Sequence, residues 1–289
     1  MKQRIETNES YEQHRQERSK LFLESLKHIE VGKNPPFLVC IIGPNRSGTT
    51  ALSELFARLS IPNYLQPIKS IRRAIEEKDA IPTFALKQGI PLAIVKETFG
   101  SKKESEFFNP IETLIAAGYP PERIHLIAML RNPEMTLTSW NRIYQSNVNT
   151  QGLVRAIQET DNIVQAAKAQ GIMVTHYVHE AIRDNDAQKV ATALFKRIGI
   201  TLPQERVSHA VDWTTGPRFG STQSTDIFFD QPPEIFVQGV KERPGYQFDH
   251  KQQVNVTKEQ RELLRTAGTY QIYNKFKAAT KKDINLKIR

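Results

Sequence analysis

The chain has 289 residues and 39% hydrophobic content, enough to bury one large core, with a formal charge of +9. No apolar stretch is long enough to span a bilayer, and the polar, mixed-charge start does not read as a secretory leader. The lone cysteine, Cys40, cannot form an internal disulfide and reads as a small buried hydrophobe, so a cytoplasmic setting is expected. Part of the positive excess lies at the end of the chain. Lys275, Lys277, Lys281, Lys282, Lys287 and Arg289 stand there against Asp283, a pattern expected of a solvated basic tail. The remaining charge suits a small anionic ligand. Zinc-ligand spacing and aromatic–basic stacking motifs are missing, so nucleic acid is not an expected partner.

In chain order, residues 9–31 predict an amphipathic helix with Leu21, Leu23, Leu26 and Ile29 among charges. Gly32 to Pro36 ends it. Residues 37–42, FLVCII, predict a short buried strand, followed by a loop and a helix to about Ser60. Residues 61–67 read as irregular or a short strand, and 68–79 as a helix. Pro82 and Pro91 bracket a connection. Residues 92–97 predict a second strand, 108–117 a helix, 124–130 a third strand, and 133–148 a helix with Pro133 at its start. A helix over 151–169 stops at Gly171. Residues 172–177 predict a fourth strand and 185–198 a helix ended by Gly199. The segment 201–256 is rich in Pro, Gly, Ser and Thr and predicts little regular structure. A last helix is expected over 257–281. Apolar strands alternating with helices predict a single α/β domain around a parallel sheet flanked by helices. In such sheets ligands bind beyond the carboxyl ends of the strands. That edge would hold the 43–50 loop, 96–98 and 131–139.

The first of these segments carries the chemistry. Residues 40–56 read CIIGPNRSGTTALSELF. A glycine-bracketed turn that opens a helix points several backbone N–H groups at one spot, and the helix dipole adds to the anion site. Thr49 and Thr50 bring hydroxyls, and Arg46 brings a fixed charge with forked donors. An ordinary capped strand–turn–helix would share part of this pattern; Arg46 and the paired glycines set the segment apart. Nucleoside triphosphatase loops read G-x4-G-K-[ST], with lysine on the terminal phosphates and a hydroxyl on magnesium. Here Gly43 and Gly48 keep the spacing, but Thr49 stands where the lysine belongs. The third strand ends in Leu130-Arg131, not in an aspartate suited to magnesium. No metal is expected.

RSGTT (46–50), between an apolar strand and a helix, resembles the phosphosulfate loop of sulfotransferases that use 3′-phosphoadenosine-5′-phosphosulfate (PAPS). Asn45 replaces the family's second proline, and Ala51 replaces the tryptophan of many members. A second segment, LIAMLRNPEMTLTSW (126–140), resembles the family's strand–Arg-(Asp/Asn)-Pro–helix–Ser motif, in which Arg131 and Ser139 match the pair on the 3′-phosphate. An arginine at a strand end and a hydroxyl two helical turns on can converge on one anion. Lys96 in VKETF resembles a lysine near the phosphosulfate, Tyr177 in HYVHE a tyrosine near the nucleotide, and Arg218 in GPRFGS a late basic residue over the 3′-phosphate.

The resemblance covers roughly residues 37–200. It implies a P-loop NTPase-like sulfotransferase fold in one domain: a helical extension over 1–34, a nucleotide-binding core over 35–200, and covering loops with a C-terminal helix over 201–289. It further implies transfer of a sulfuryl group to a hydroxyl or amine of a small acceptor, with adenosine 3′,5′-bisphosphate (PAP) as product. A natural product is the expected acceptor. Asn45, Arg46, Ser47, Gly48, Thr49, Thr50, Arg131, Ser139, Tyr177 and Arg218 would bind the nucleotide. Arg46 and Lys96 would stabilise charge. The family's histidine two residues beyond the lysine is Thr98 here, so Glu97 is the expected base, with Glu104 and Glu106 as alternates. His176 and His179 have H-x-x-H spacing, but two ligands without a third point to surface or helix-start histidines rather than metal. His125 reads as a core residue. The alternative is a phosphate-loop kinase or nucleotide-binding protein, which would require magnesium and ATP. Oligomeric state is left open by these features.

Overall fold

The structure is a computed structural model that describes residues 8–100, 103–144, 149–214, 243–248 and 253–288, with side chains from Gln16 onward. Helix α1 (Asn8–Leu26) precedes a two-residue strand β1 (Ile29–Glu30), which pairs in parallel with β4 (Phe84–Ala85). The expected first helix thus stops five residues early, and Ile29 is buried in that pairing. Five parallel strands make the central sheet: β2 (Phe37–Pro44), β3 (Asn63–Leu65), β5 (Leu92–Phe99), β6 (Ile124–Leu130) and β7 (Met173–Val178). Their order is β3-β5-β2-β6-β7. All seven residues of β6 are buried, as are the last seven of β2. A strand buried at every position must be covered on both faces, which explains its unbroken apolar run.

The covering helices are α2 (Thr49–Ala57), α3 (Pro67–Glu77), α4 (Pro110–Ala116), α5 (Pro133–Tyr144) and α6 (Asn149–Ala169). After β7 come α7 (Ala181–Asp184), α8 (Ala187–Arg197), α9 (Gln204–Val211), α10 (Lys258–Thr266) and α11 (Thr269–Asp283). Helix α6 packs on β2, β5, β6 and β7, and α2 packs on β2, β3 and β5. One hydrophobic cluster runs from Ile29 to Ile288.

Three expectations change. The last helix is broken at Gly268, whose φ of 74° caps α11 in the left-handed region that favours glycine. The basic end is also not simply solvated: Tyr273, Phe276, Thr280, Ile284 and Ile288 are buried, and α11 lies along β7. Within 201–256, α9 is regular, and Trp213, Tyr246 and Phe248 are buried.

The chain runs from β2 to one side of the sheet and then returns to β6 on the other. That leaves a switch point at the carboxyl end of β2, where the 43–50 loop begins. Gly43 sits there under a strict size limit. A Cβ on it would collide with the Met129 carbonyl oxygen and lie 3.0 Å from Ser47 Oγ. Backbone cannot yield cheaply, so Gly43→Ala is expected to cost roughly 3 kcal/mol of stability, read as a lowered denaturant midpoint with an unchanged m-value.

Candidate functional site

The loop after β2 is pinned from two sides. Asn45 N–H donates to the Phe99 carbonyl at 2.8 Å, and its side-chain amide donates to the Gly100 carbonyl at 2.6 Å. The Trp140 indole N–H donates to the Asn45 carbonyl at 2.7 Å. Ser47 is fully buried and its hydroxyl donates to the Pro44 carbonyl at 2.8 Å. Asn45 and Ser47 therefore shape the loop with their side chains. Arg46 has φ of 65° and Gly48 φ of 100°, so two left-handed residues reverse the chain into α2. A non-glycine residue in that region is strained, and the surrounding bonds hold it there.

The first-turn N–H groups of α2 face this turn, with no side-chain cap at Gly48. Thr49 is buried and Thr50 half-buried at the helix start. Arg46 reaches across to α5, where its Nε donates to Ser139 Oγ at 3.2 Å. That bond joins the two segments singled out from the sequence, which are 93 residues apart. Arg131 follows directly after β6 with 7% exposure, its guanidinium 5.7 Å from the centre of the Phe248 ring.

Lys96 lies in β5, 3% exposed; its backbone carbonyl accepts the Gln66 N–H at 2.7 Å, while its ammonium has no hydrogen-bond or ion-pair partner among the described residues. Burial lowers its pKa to about 7, and the nearby charge of Lys69 and Arg46 adds to the effect against the pull of Glu97. Burial lowers Arg46 as well; Arg142 and Arg243 repel it, and Tyr144 partly compensates. Buried like charges of this kind are costly without a compensating anion, and perturbed groups cluster at functional sites.

The carboxylates behave differently from expectation. Glu97 is fully buried, and its Oε1 accepts the Ile68 N–H at 2.8 Å, in the first turn of α3. Successive residues of a strand project to opposite faces, so Glu97 leaves β5 on the side away from Lys96 and serves the α3 terminus. The expected general base is thus held against a helix terminus, a geometry that supports an anchoring role. Glu106 is buried in an ion pair with Lys69 (2.5 Å) and receives two bonds from Arg73. Burial raises the Glu104 pKa, but Arg155 and Arg18 outweigh it and hold it to about 2. The alternates are therefore engaged in ion pairs.

Burial pushes the Glu97 carboxyl up to about 8, against the Ile68 N–H and Lys69. Its proton is bound more tightly folded than unfolded, so its contribution to stability is full below about 4.5 and is lost as pH rises through about 8. Glu97→Gln keeps the carbonyl that accepts the Ile68 N–H but cannot ionise. Its melting temperature is expected to overtake that of the wild type by pH 9, and its turnover to stay within about threefold at pH 7. A loss of a hundredfold or more, in the range of a removed general base, would restore the catalytic reading.

Tyr177 is fully buried, and its hydroxyl shares a 2.8 Å bond with that of Tyr246. It tethers the 243–248 segment and offers a ligand no exposed surface. Arg218 lies outside the described residues. His176 is not a surface residue either: its Nδ1 meets Asp283 at 2.8 Å, tying β7 to α11. His125 pairs with the Thr175 hydroxyl at 2.8 Å in the core. Among the described residues no His, Cys, Asp and Glu group is placed to hold a metal.

Lys69 and Trp140 were not singled out from the sequence. Lys69 is buried beside the site, where its ammonium donates to the Thr98 carbonyl at 3.0 Å. The complement between IKSIRR (68–73) and ESE (104–106) was its only signal. No family model matches the chain, and no curated protein matches it.

Proposed function

We propose that the chain transfers a sulfuryl group from PAPS to a hydroxyl or amine of a small acceptor, on a sulfotransferase-like phosphate-loop scaffold. The observation that carries this reading is the Arg46–Ser139 bond, which gathers the loop and the Arg131–Ser139 segment into one cationic site. The donor set fits the co-substrate. Helix N–H groups, threonine hydroxyls, Arg46 and Lys96 suit a phosphosulfate, and Arg131 with Ser139 suits a second phosphate. Gly48 leaves the backbone bare where the anion would approach.

The co-substrate would supply an activated sulfuryl group: an acceptor–sulfur bond forms as the sulfur–oxygen bond to the phosphate breaks, PAP leaves with that bond's electron pair, and the acceptor's proton is released to solvent. The protein's own part is positioning and charge stabilisation, as in phosphoryl transfer. Arg46 cannot lose its proton, so it neutralises charge growing on the leaving oxygen. Lys96, whose ammonium gives up its proton more readily in these surroundings, is favoured in its charged form when an anion binds and would then neutralise the sulfuryl oxygens. Asn45, Trp140 and Ser47 hold the loop in register for both. The family resemblance of RSGTT supports the choice of sulfuryl over phosphoryl, as does the missing lysine at Thr49.

Calorimetric titration with PAP, and separately with ATP plus magnesium, tests the reading. Tight PAP binding that ignores chelators is expected, with much weaker ATP binding. Magnesium-dependent ATP binding without preference for a 3′-phosphate would instead mark a kinase-like protein.

A further inference from the structure

His179 follows directly after β7, and its backbone N–H donates to the Leu130 carbonyl at 2.9 Å. That bond carries the β6–β7 pairing one residue further, to the loop end of the sheet. The imidazole is 2% exposed and rests on Phe248, with ring centres 5.3 Å apart. A Cβ built on Gly48 would lie 2.6 Å from its Nδ1 and 3.0 Å from its Cε1, with Met129 Cε at 2.8 Å. The ring therefore packs directly on the residue that caps α2, and only glycine leaves it room. Nδ1 has no hydrogen-bond partner among the described residues.

An unsatisfied buried nitrogen costs about 1–3 kcal/mol. His125 also leaves Nδ1 without a partner, but its other nitrogen is bonded to Thr175 within the core. His179 differs in its address: it meets the first turn of a nine-residue helix whose N–H groups have no side-chain cap.

We propose that His179 is a ligand contact, its Nδ1 hydrogen-bonding an oxygen of the phosphate-like anion seated on the 43–50 loop. This rests on the reading of that loop as an anion site, though not on the identity of the nucleotide. The charged groups around the ring favour such a role. Arg131 at the end of β6 and Arg243 of the 243–248 segment oppose a positive imidazole, and burial opposes it more, so the ring is neutral without ligand. Arg46 belongs to the facing loop, and Arg183 of α7 touches the far side of the system through Phe248, 5.8 Å from its ring. A neutral imidazole with its proton on Nδ1 donates to an anion without adding to this crowd of cations.

The test is nitrogen NMR of the full chain labelled with 15N at its backbone and seven histidines, titrated with inorganic pyrophosphate and, separately, with PAP. The His179 ring signals, assigned through bonds from its backbone, are expected to shift together with the Gly48 and Thr49 amides. His179→Gln is expected to weaken pyrophosphate binding roughly tenfold or more. Amide shifts without movement of the His179 ring would overturn the contact and leave the loop reading standing. If neither moves with either anion, the loop is not an anion site and both readings fall. Ring and amide shifts with pyrophosphate but no tighter binding of PAP would uphold the contact and reject the nucleotide. The wild-type spectra decide these outcomes even where the variant fails to fold.

Discussion

Arg46→Ala is expected to lower turnover by about a hundred- to a thousandfold, while PAP affinity changes by less than about tenfold. The asymmetry follows from the proposed role. The guanidinium would face charge that grows only as the sulfuryl group departs, so its loss raises the barrier more than it weakens the ground state. The backbone complicates a single variant, because Arg46 sits at φ 65° and alanine suffers the same strain there. Arg46→Gly removes that strain, so equal losses for Ala and Gly assign the effect to the side chain. Arg46→Lys keeps the charge but not the fork that reaches Ser139, and partial recovery is expected. Single-turnover kinetics with a panel of hydroxylated and amine acceptors would read all three variants. Unchanged turnover in Ala and Gly would end the assignment.

Arg131→Ala is expected to act on recognition. Its guanidinium is 7% exposed at the end of β6, where a charge-assisted bond to a dianionic phosphate would be well shielded from water. Affinity for PAP should fall roughly a hundredfold, and affinity for adenosine 5′-phosphate, which lacks the 3′-phosphate, by no more than about threefold. Competition calorimetry with the two nucleotides measures the difference directly. Equal losses would mean that Arg131 supports the site by packing rather than by holding the 3′-phosphate, and that role would be withdrawn. Thermal melts of the ligand-free variant separate this from simple destabilisation.

The strands were legible because their burial is two-sided. FLVCII and IHLIAML have no polar alternation to hide them, and both lie in the middle of the sheet. Strand β3 was ambiguous because only three residues, Asn63–Leu65, pair at an edge. Helix α9 escaped notice because QERVSHAV follows a proline within a Ser- and Thr-rich stretch, and its few apolar residues become core only against α2 and α8. Gly268 could have been read as a break but was passed over inside a continuous helical pattern.

The site divides the same way. Gly43, Arg46 and Gly48 carry their meaning in local spacing, as do Arg131 and Ser139. The roles of Glu97, Tyr177 and His179 are set by partners distant in sequence: Ile68, Tyr246 and Gly48. Such roles are written in tertiary contacts, and a strand-end glutamate reads alike whether it faces a substrate or a helix terminus.

The bond from the Trp140 indole to the Asn45 carbonyl has a practical side. The chain has two tryptophans, and the other, Trp213, donates to Ala210 at the end of α9. One of the two tryptophans is therefore wired to the backbone of the turn itself. Any anion that draws the turn tighter stretches or straightens that bond, and the colour and yield of the protein's ultraviolet emission change with it. Occupancy can be followed by light, without a label and before any acceptor is known.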